Sequence, residues 1–204
     1  MRGLDVSPQL FEAQLQALER DGWHAITVDQ LAGDLASATT PLPGTFVISV
    51  DDGHSDGALY ALPILRAHGF VATFYVVAGR IGNPDNLTWD QVGELAAAGM
   101  EIGNHTLHHV RLTTLTPTEL RSEIDGAQAL FAARLCRAPT TFAYPFGDFN
   151  RAVVGAVLDA NFRMAVTTAH GAGQTWGRRL EVPRISVYST LSPDALLAKI
   201  DPFR

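Results

Sequence analysis

Apolar and polar positions along the chain follow two periods, and the switches between them predict its elements. After Ser7-Pro8, the residues Phe11, Leu15 and Leu18 recur on one helical face, so a helix is predicted to about Arg20. Ser7 is placed to cap it and Pro8 to occupy its first turn. Trp23 to Val28 reads as a short strand, and Val28-Asp29-Gln30-Leu31 opens a second helix. Thr39 to Gly44 is a loop, Phe46 to Val50 a buried strand, and His54 to His68 a helix interrupted or begun anew near Pro63. Val71 to Val77 is the next strand, followed by a Gly, Pro and Asn loop from Arg80 to Leu87. Thr88 and Gln91 have capping-box spacing for a helix ending at Gly99.

Met100 to Gly103 then reads as a strand, and Thr116-Pro117-Thr118-Glu119 opens a long helix to about Leu135. Thr141 to Tyr144 is a strand, Asn150 to Ala160 a helix, and Met164 to Thr167 another strand. Pro183 to Tyr188 is the last strand before a short helix from Ser192. Alternating strands and helices argue for an α/β fold with a barrel or partial barrel. No repeat or low-complexity tract interrupts it, and residues 1–204 read as a single domain.

Two clusters at the ends of predicted strands carry the candidate chemistry. Ser49-Val50-Asp51-Asp52-Gly53 follows Phe46-Val47-Ile48, and His105-Thr106-Leu107-His108-His109 follows Gly99 to Gly103. Loops beyond the carboxyl ends of parallel strands are where α/β folds bind ligands. Taken alone, Asp-Asp-Gly is often a turn that caps the next helix, and three histidines within five residues can be a solvated loop. His105 and His109 share a face if their segment is helical. Together, a carboxylate and two imidazoles at strand ends suit a divalent metal with an open position for water, and hence a hydrolase.

Composition narrows the classes without choosing a substrate. At 204 residues, with 47% hydrophobic and 18% charged positions, the chain can bury a sizeable core. A net charge of -6 argues against nucleic acid or an anionic membrane as partner. The single Cys136 excludes an internal disulfide framework and a cysteine-based zinc knuckle, and is expected to pack on the helix before Pro139. No apolar run is long enough to span a membrane. Met1-Arg2-Gly3-Leu4-Asp5 leads straight into a polar helix without a secretory signal. The sequence as it stands therefore predicts a cytoplasmic location, and a trimmed start would make it extracytoplasmic.

These motifs resemble the polysaccharide deacetylase family (the NodB-homology domain, carbohydrate esterase family four). Ser49 to Gly53 resembles its Thr-Phe-Asp-Asp-Gly, and His105 to His109, with Leu112 beyond, its His-Ser/Thr-x-x-His. Phe142-Ala143-Tyr144-Pro145-Phe146-Gly147 is similar to the Phe-Ala-Tyr-Pro-Tyr-Gly of one large branch. Gly69 to Val76 and Leu180 to Ile185 also look like family segments, so the resemblance covers nearly the whole chain.

The resemblance implies the distorted (β/α) barrel of this family, with Asp52, His105 and His109 as metal ligands and Asp51 as general base. It implies that the Phe146 backbone N–H stabilises an oxyanion and that the substrate is an acetylated glycan of N-acetylglucosamine type. The ion would be zinc, with cobalt, nickel or iron as alternatives. Thr106 is placed to donate a hydrogen bond that orients the site. Tyr144, Phe146 and Trp176 are candidates for the floor of a sugar groove.

The sequence also departs from the pattern. Ala143 stands where many members have an Arg that orients the base, and no Leu-x-x-His follows near the carboxyl end. Arg184 is the candidate replacement for that Arg, and His170 a weaker one for the acid. His54 and His68 read as helix residues outside the site. Hydrolysis of another amide or of an acetyl ester, and a glycan-binding module that has lost turnover, stay open as alternatives. Oligomeric state is not specified.

Overall fold

The computed structural model describes residues 6–172 and 174–203. Strand β1 (His24–Ile26) pairs in parallel with β2 (Thr45–Val47), and the chain then passes through Ile48 into β3 (Ser49–Val50). From there β3 joins β4 (Thr73–Val76), β5 (Glu101–Asn104), β6 (Thr141–Ala143), β7 (Met164–His170) and β8 (Val182–Arg184) in one six-stranded parallel sheet. Helices α1 (Pro8–Arg20), α2 (Val28–Ala36), α3 (Leu62–Ala67), α4 (Trp89–Ala97), α5 (Pro117–Leu135), α6 (Arg151–Asp159) and α7 (Pro193–Ile200) complete the chain. The sheet curls into a distorted (β/α) barrel, left open between β3 and β8, which share no ladder among the described residues.

Local chemistry accounts for the helix starts. Thr27 with Gln30, Thr88 with Gln91 and Thr116 with Glu119 form capping boxes, and Ser7, Asn150 and Ser192 cap α1, α6 and α7. The apolar faces of these helices bury Leu15, Leu65, Leu95 and Phe131 against Phe74 and Val76. The α2 helix contributes Val28 and Ala32 to a separate cluster with Tyr75, Ala143, Met164, Val166 and Val182.

At the amino ends of the strands, buried Glu101 joins several elements. Its carboxylate accepts the Asp29 N–H at 2.9 Å and the Thr73 hydroxyl at 2.8 Å, and also the Thr141 hydroxyl. A carboxylate at the α2 N-terminus suits the helix dipole. The opposite end of the barrel is left free for the two motif loops.

Several boundaries differ from expectation. The segment after Gly53 winds first as a π-helical turn (Gly57–Ala61) before α3, and Gly57 lets it lie on the Phe74 ring, where a Cβ would come within 3.1 Å. The last strand spans only Val182–Arg184, whereas β7 continues to His170. Cys136 is exposed and ends α5 with a φ of 58°, rather than packing on the helix.

Candidate active site

The carboxyl ends of β3 and β5 bring the two clusters together. Asp51 and Asp52 follow the last residue of β3, and His105 follows the last residue of β5. Asp52 has a φ of 73° and Gly53 one of 74°, so the chain reverses as it leaves the strand. Only glycine fits the second position easily, since a Cβ there would lie 2.8 Å from Val76 Cγ1.

The turn aims Asp52 at the imidazoles. Asp52 Oδ1 lies 3.6 Å from His105 Nε2 and 3.2 Å from His109 Nε2. One ligand atom from each of these side chains falls within 4.8 Å of the others. His105 is buried, and its Nδ1 lies 2.8 Å from the Ala143 carbonyl oxygen. That oxygen can only accept, so Nδ1 carries a proton and Nε2 is the nitrogen turned toward Asp52. Burial lowers the His109 pKa and His105 lowers it further, against the pull of Asp52, which favours the neutral form needed in a ligand. Asp52 Oδ1 is buried, yet accepts no hydrogen bond from a described residue. A buried oxygen without a donor is costly, and a cation among these three groups would satisfy it. The donor set therefore fits one divalent ion.

The segment from His105 to His109 is not helical. Thr106 and His109 have φ values of 66° and 59°, and these left-handed residues bring the two rings to a centroid separation of 4.8 Å. The Thr106 hydroxyl accepts the His109 N–H at 3.0 Å, and the Thr106 N–H donates to Asn104 Oδ1 at 2.7 Å. His108 points away from the ligands, toward Glu123.

Asp51 turns from Asp52 to the other side of the strand end, where it meets Arg184. The guanidinium donates to both carboxylate oxygens, Nη1 to Oδ1 at 2.8 Å and Nη2 to Oδ2 at 2.7 Å. It also donates from Nη1 to Ser49 Oγ at 2.9 Å and from Nε to the Thr167 carbonyl at 2.8 Å. Burial alone would raise the Asp51 pKa, but the charge and hydrogen bonds of Arg184, with smaller contributions from His105 and His109, outweigh it and hold the carboxyl below its ordinary value. Ser49 was not singled out in the sequence, although its place two residues before Asp51 puts both on one face of an extended chain.

Phe146 flanks this centre with a φ of 61°. Its ring centroid lies 4.6 Å from that of His109, and the Arg111 guanidinium sits over the Phe146 ring, 4.7 Å from its centroid. Arg111 is in turn paired with Asp148. The other two aromatics proposed for a sugar groove lie elsewhere. Tyr144 is buried with its hydroxyl on the Leu180 carbonyl, 2.9 Å away. Trp176 sits on a turn packed against α2, with Arg179 over its ring. The alternation running on from β6 decided the first position and the path of the connection between β7 and β8 the second, and neither follows from aromatic character. His170 is exposed at the end of β7, in register with Arg184. His54 forms an isolated bridge with Asn86 before the first helical turn, and His68 caps α3 beside Glu19.

Comparison with known proteins places this geometry in a family. The sequence model for polysaccharide deacetylases matches residues 38–165. YxkH of Bacillus subtilis is 29% identical over 201 residues, covering 98% of this chain and 72% of that protein. The peptidoglycan-N-acetylglucosamine deacetylase of Bacillus cereus is 28% identical over 131 residues, 63% of this chain and 59% of its own. The structure of Streptococcus pyogenes deacetylase PplD in complex with acetate superposes with a TM-score of 0.90 at 27% identity, covering 95% of this chain and 86% of that one. The chain belongs to the polysaccharide deacetylase family, whose chemistry is the hydrolysis of acetamido groups.

Proposed function

We propose that this protein is a metal-dependent deacetylase that removes acetyl groups from N-acetylglucosamine-type units of a polysaccharide or oligosaccharide. The observation that carries the reading is the convergence of Asp52, His105 and His109 beside an Asp51 held as a carboxylate by Arg184. The first three side chains would hold one divalent ion. When bound, such an ion lowers the pKa of water toward about 7 and polarises a carbonyl.

Asp51 is the group assigned to take the proton of the attacking water. Its carboxylate is kept charged by Arg184 and fixed in a bidentate hydrogen bond, so it faces the reaction in one orientation. The Phe146 backbone N–H is assigned to the oxyanion, on a loop held by the ring contact with His109. The Asp51–Arg184 pair favours turnover over binding alone, since a binding module has no need of an oriented base. We assign the protein zinc as its ion, with cobalt, nickel and iron as the alternatives to test.

The test is acetate release by protein stripped with a chelator and reloaded with one metal at a time. Chitooligosaccharides, peptidoglycan and acetylated xylan form the substrate panel. Metal-dependent release from the amide substrates supports the reading. Release from xylan alone would replace it with an esterase, and glycan binding without release from any substrate would reduce it to a binding module.

A further inference from the structure

The loop carrying His105 and His109 leaves β5 but is fastened to α5, and its fastening residue is an acid on the buried side of that helix. Leu120, Ile124, Ala127 and Phe131 make the buried face of α5, and Glu123 joins them at 9% exposure. A carboxylate on an apolar stripe needs partners to offset its desolvation. Glu123 finds them in the ligand loop. Oε2 accepts the His108 N–H at 2.9 Å, Oε1 lies 2.7 Å from His108 Nδ1, and the Glu123 carbonyl accepts the Leu107 N–H at 3.1 Å.

The rest of the loop is equally confined. The Leu107 carbonyl accepts the Gly79 N–H at 2.8 Å, and a Cβ on Gly79 would come within 2.5 Å of that oxygen. On the other side, a Cβ on Gly126 would lie 3.2 Å from Leu107 Cδ2. Gln128 of α5 reaches Asn104 Nδ2 at 3.2 Å, and Asn104 in turn accepts the Thr106 N–H. Thr106 and His109 keep left-handed backbone conformations, which side-chain-bearing residues hold only when their surroundings over-determine them.

We propose that Glu123 is a positioning residue for the metal site: it holds Leu107 and His108 on α5 so that His105 and His109 present their Nε2 atoms to one ion. The inference rests on the reading that Asp52, His105 and His109 hold a divalent ion. Residues that orient ligands from behind commonly contribute about ten- to a hundredfold in metal affinity. Glu123 touches neither ligand, so its effect travels through the loop backbone.

Titration of the metal-free full chain with Zn2+ against a chromophoric chelator tests this, with the metal-free melting temperature measured beside it. Glu123→Ala should weaken Zn2+ binding about ten- to a hundredfold, with acetate release recovered in excess Zn2+. Glu123→Gln keeps an acceptor for the His108 N–H and should fall between Glu123→Ala and wild type. His108→Ala keeps the backbone bond and should also lose less. Unchanged Zn2+ affinity in Glu123→Ala, with only a lower melting temperature, would overturn the proposal. Should Glu123→Ala not fold, unchanged affinity in both Glu123→Gln and His108→Ala would overturn it instead. A wild type that binds no Zn2+ overturns this inference together with the metal reading. A wild type that binds Zn2+ and releases no acetate overturns the deacetylase reading and leaves the Glu123 comparison standing.

Discussion

Arg184 and Asp51 close the barrel where its backbone does not. They stand at the ends of β8 and β3, the two edges of the curled sheet, and join them by paired hydrogen bonds of 2.8 and 2.7 Å. A third bond runs from the same guanidinium to Ser49 on β3, and a fourth to the Thr167 carbonyl on the neighbouring β7. One side chain therefore bridges the open seam and fixes the proposed base.

Replacing Arg184 should disturb the base without emptying the metal site. Arg184→Ala is expected to lower turnover about ten- to a hundredfold at unchanged metal content, the usual scale for a group that orients another. The pH profile separates this from a loss of folding. Burial raises the Asp51 pKa, and Arg184, with smaller help from His105 and His109, more than offsets it, so removing the guanidinium takes away the larger part of the opposition to burial. The Asp51 pKa then rises, and the acid limb of kcat/KM moves to higher pH. An ion in the adjacent site would lower the carboxyl in both proteins and leave the sign of the difference intact. Arg184→Lys should recover only part of the activity, because an ammonium cannot reproduce the planar fork.

Asp51→Asn tests the division of labour between the adjacent aspartates. The amide keeps the size of the side chain but cannot take a proton from water. Turnover should fall about a hundredfold to ten-thousandfold while elemental analysis finds the metal retained. Loss of metal together with activity would instead make Asp51 a ligand.

His105→Ala and His109→Ala should each strip the ion and abolish acetate release. They differ in what else they remove. His105 is buried with Nδ1 on the Ala143 carbonyl, so its loss also leaves that acceptor unpaired and should lower the melting temperature. His109 is more exposed and packs on Phe146, so its loss should cost less stability. Elemental analysis and thermal melts of the two variants check both halves.

Much of the fold was legible because helix starts are written locally. Ser7-Pro8, Thr88 with Gln91 and Thr116 with Glu119 satisfy the exposed N–H groups of a first turn within four residues of sequence. Strand ends depend on a partner far along the chain. Pro183 to Tyr188 looks like a strand throughout, but the ladder stops at Arg184, whose carbonyl accepts the Gly171 N–H just past the end of β7. Val187 beyond it packs into the core without pairing, so apolar character alone overstated the strand. The site was legible as two clusters of ligand-type residues at strand ends. Its shape was not, because Thr106 and His109 adopt positive φ values that neither residue type announces. Glu123 did leave a sign, a carboxylate in the apolar repeat of α5, but the sign names no partner.

The loop after β6 offers a test of positioning by backbone alone. Gly147 has a φ of 71°, and a Cβ there would fall 2.0 Å from Thr168 Oγ1 and 2.7 Å from the Thr168 backbone nitrogen. The hydroxyl can rotate away, but the backbone of β7 cannot. Gly147→Ala must therefore move the loop itself, in addition to about 1–2 kcal/mol for placing a side-chain-bearing residue in a left-handed conformation. Phe146 moves with it, since Thr168 Oγ1 donates to the Phe146 carbonyl at 3.3 Å and the Phe146 ring leans on His109. Gly147→Ala should lower kcat by about a hundredfold or more, the scale for a displaced oxyanion donor, while Asp52, His105 and His109 still bind the ion. Thr168→Ala removes the hydroxyl but leaves the nitrogen in place, so adding it to Gly147→Ala should rescue little. Full activity in Gly147→Ala would show that the Phe146 N–H has no part in the reaction.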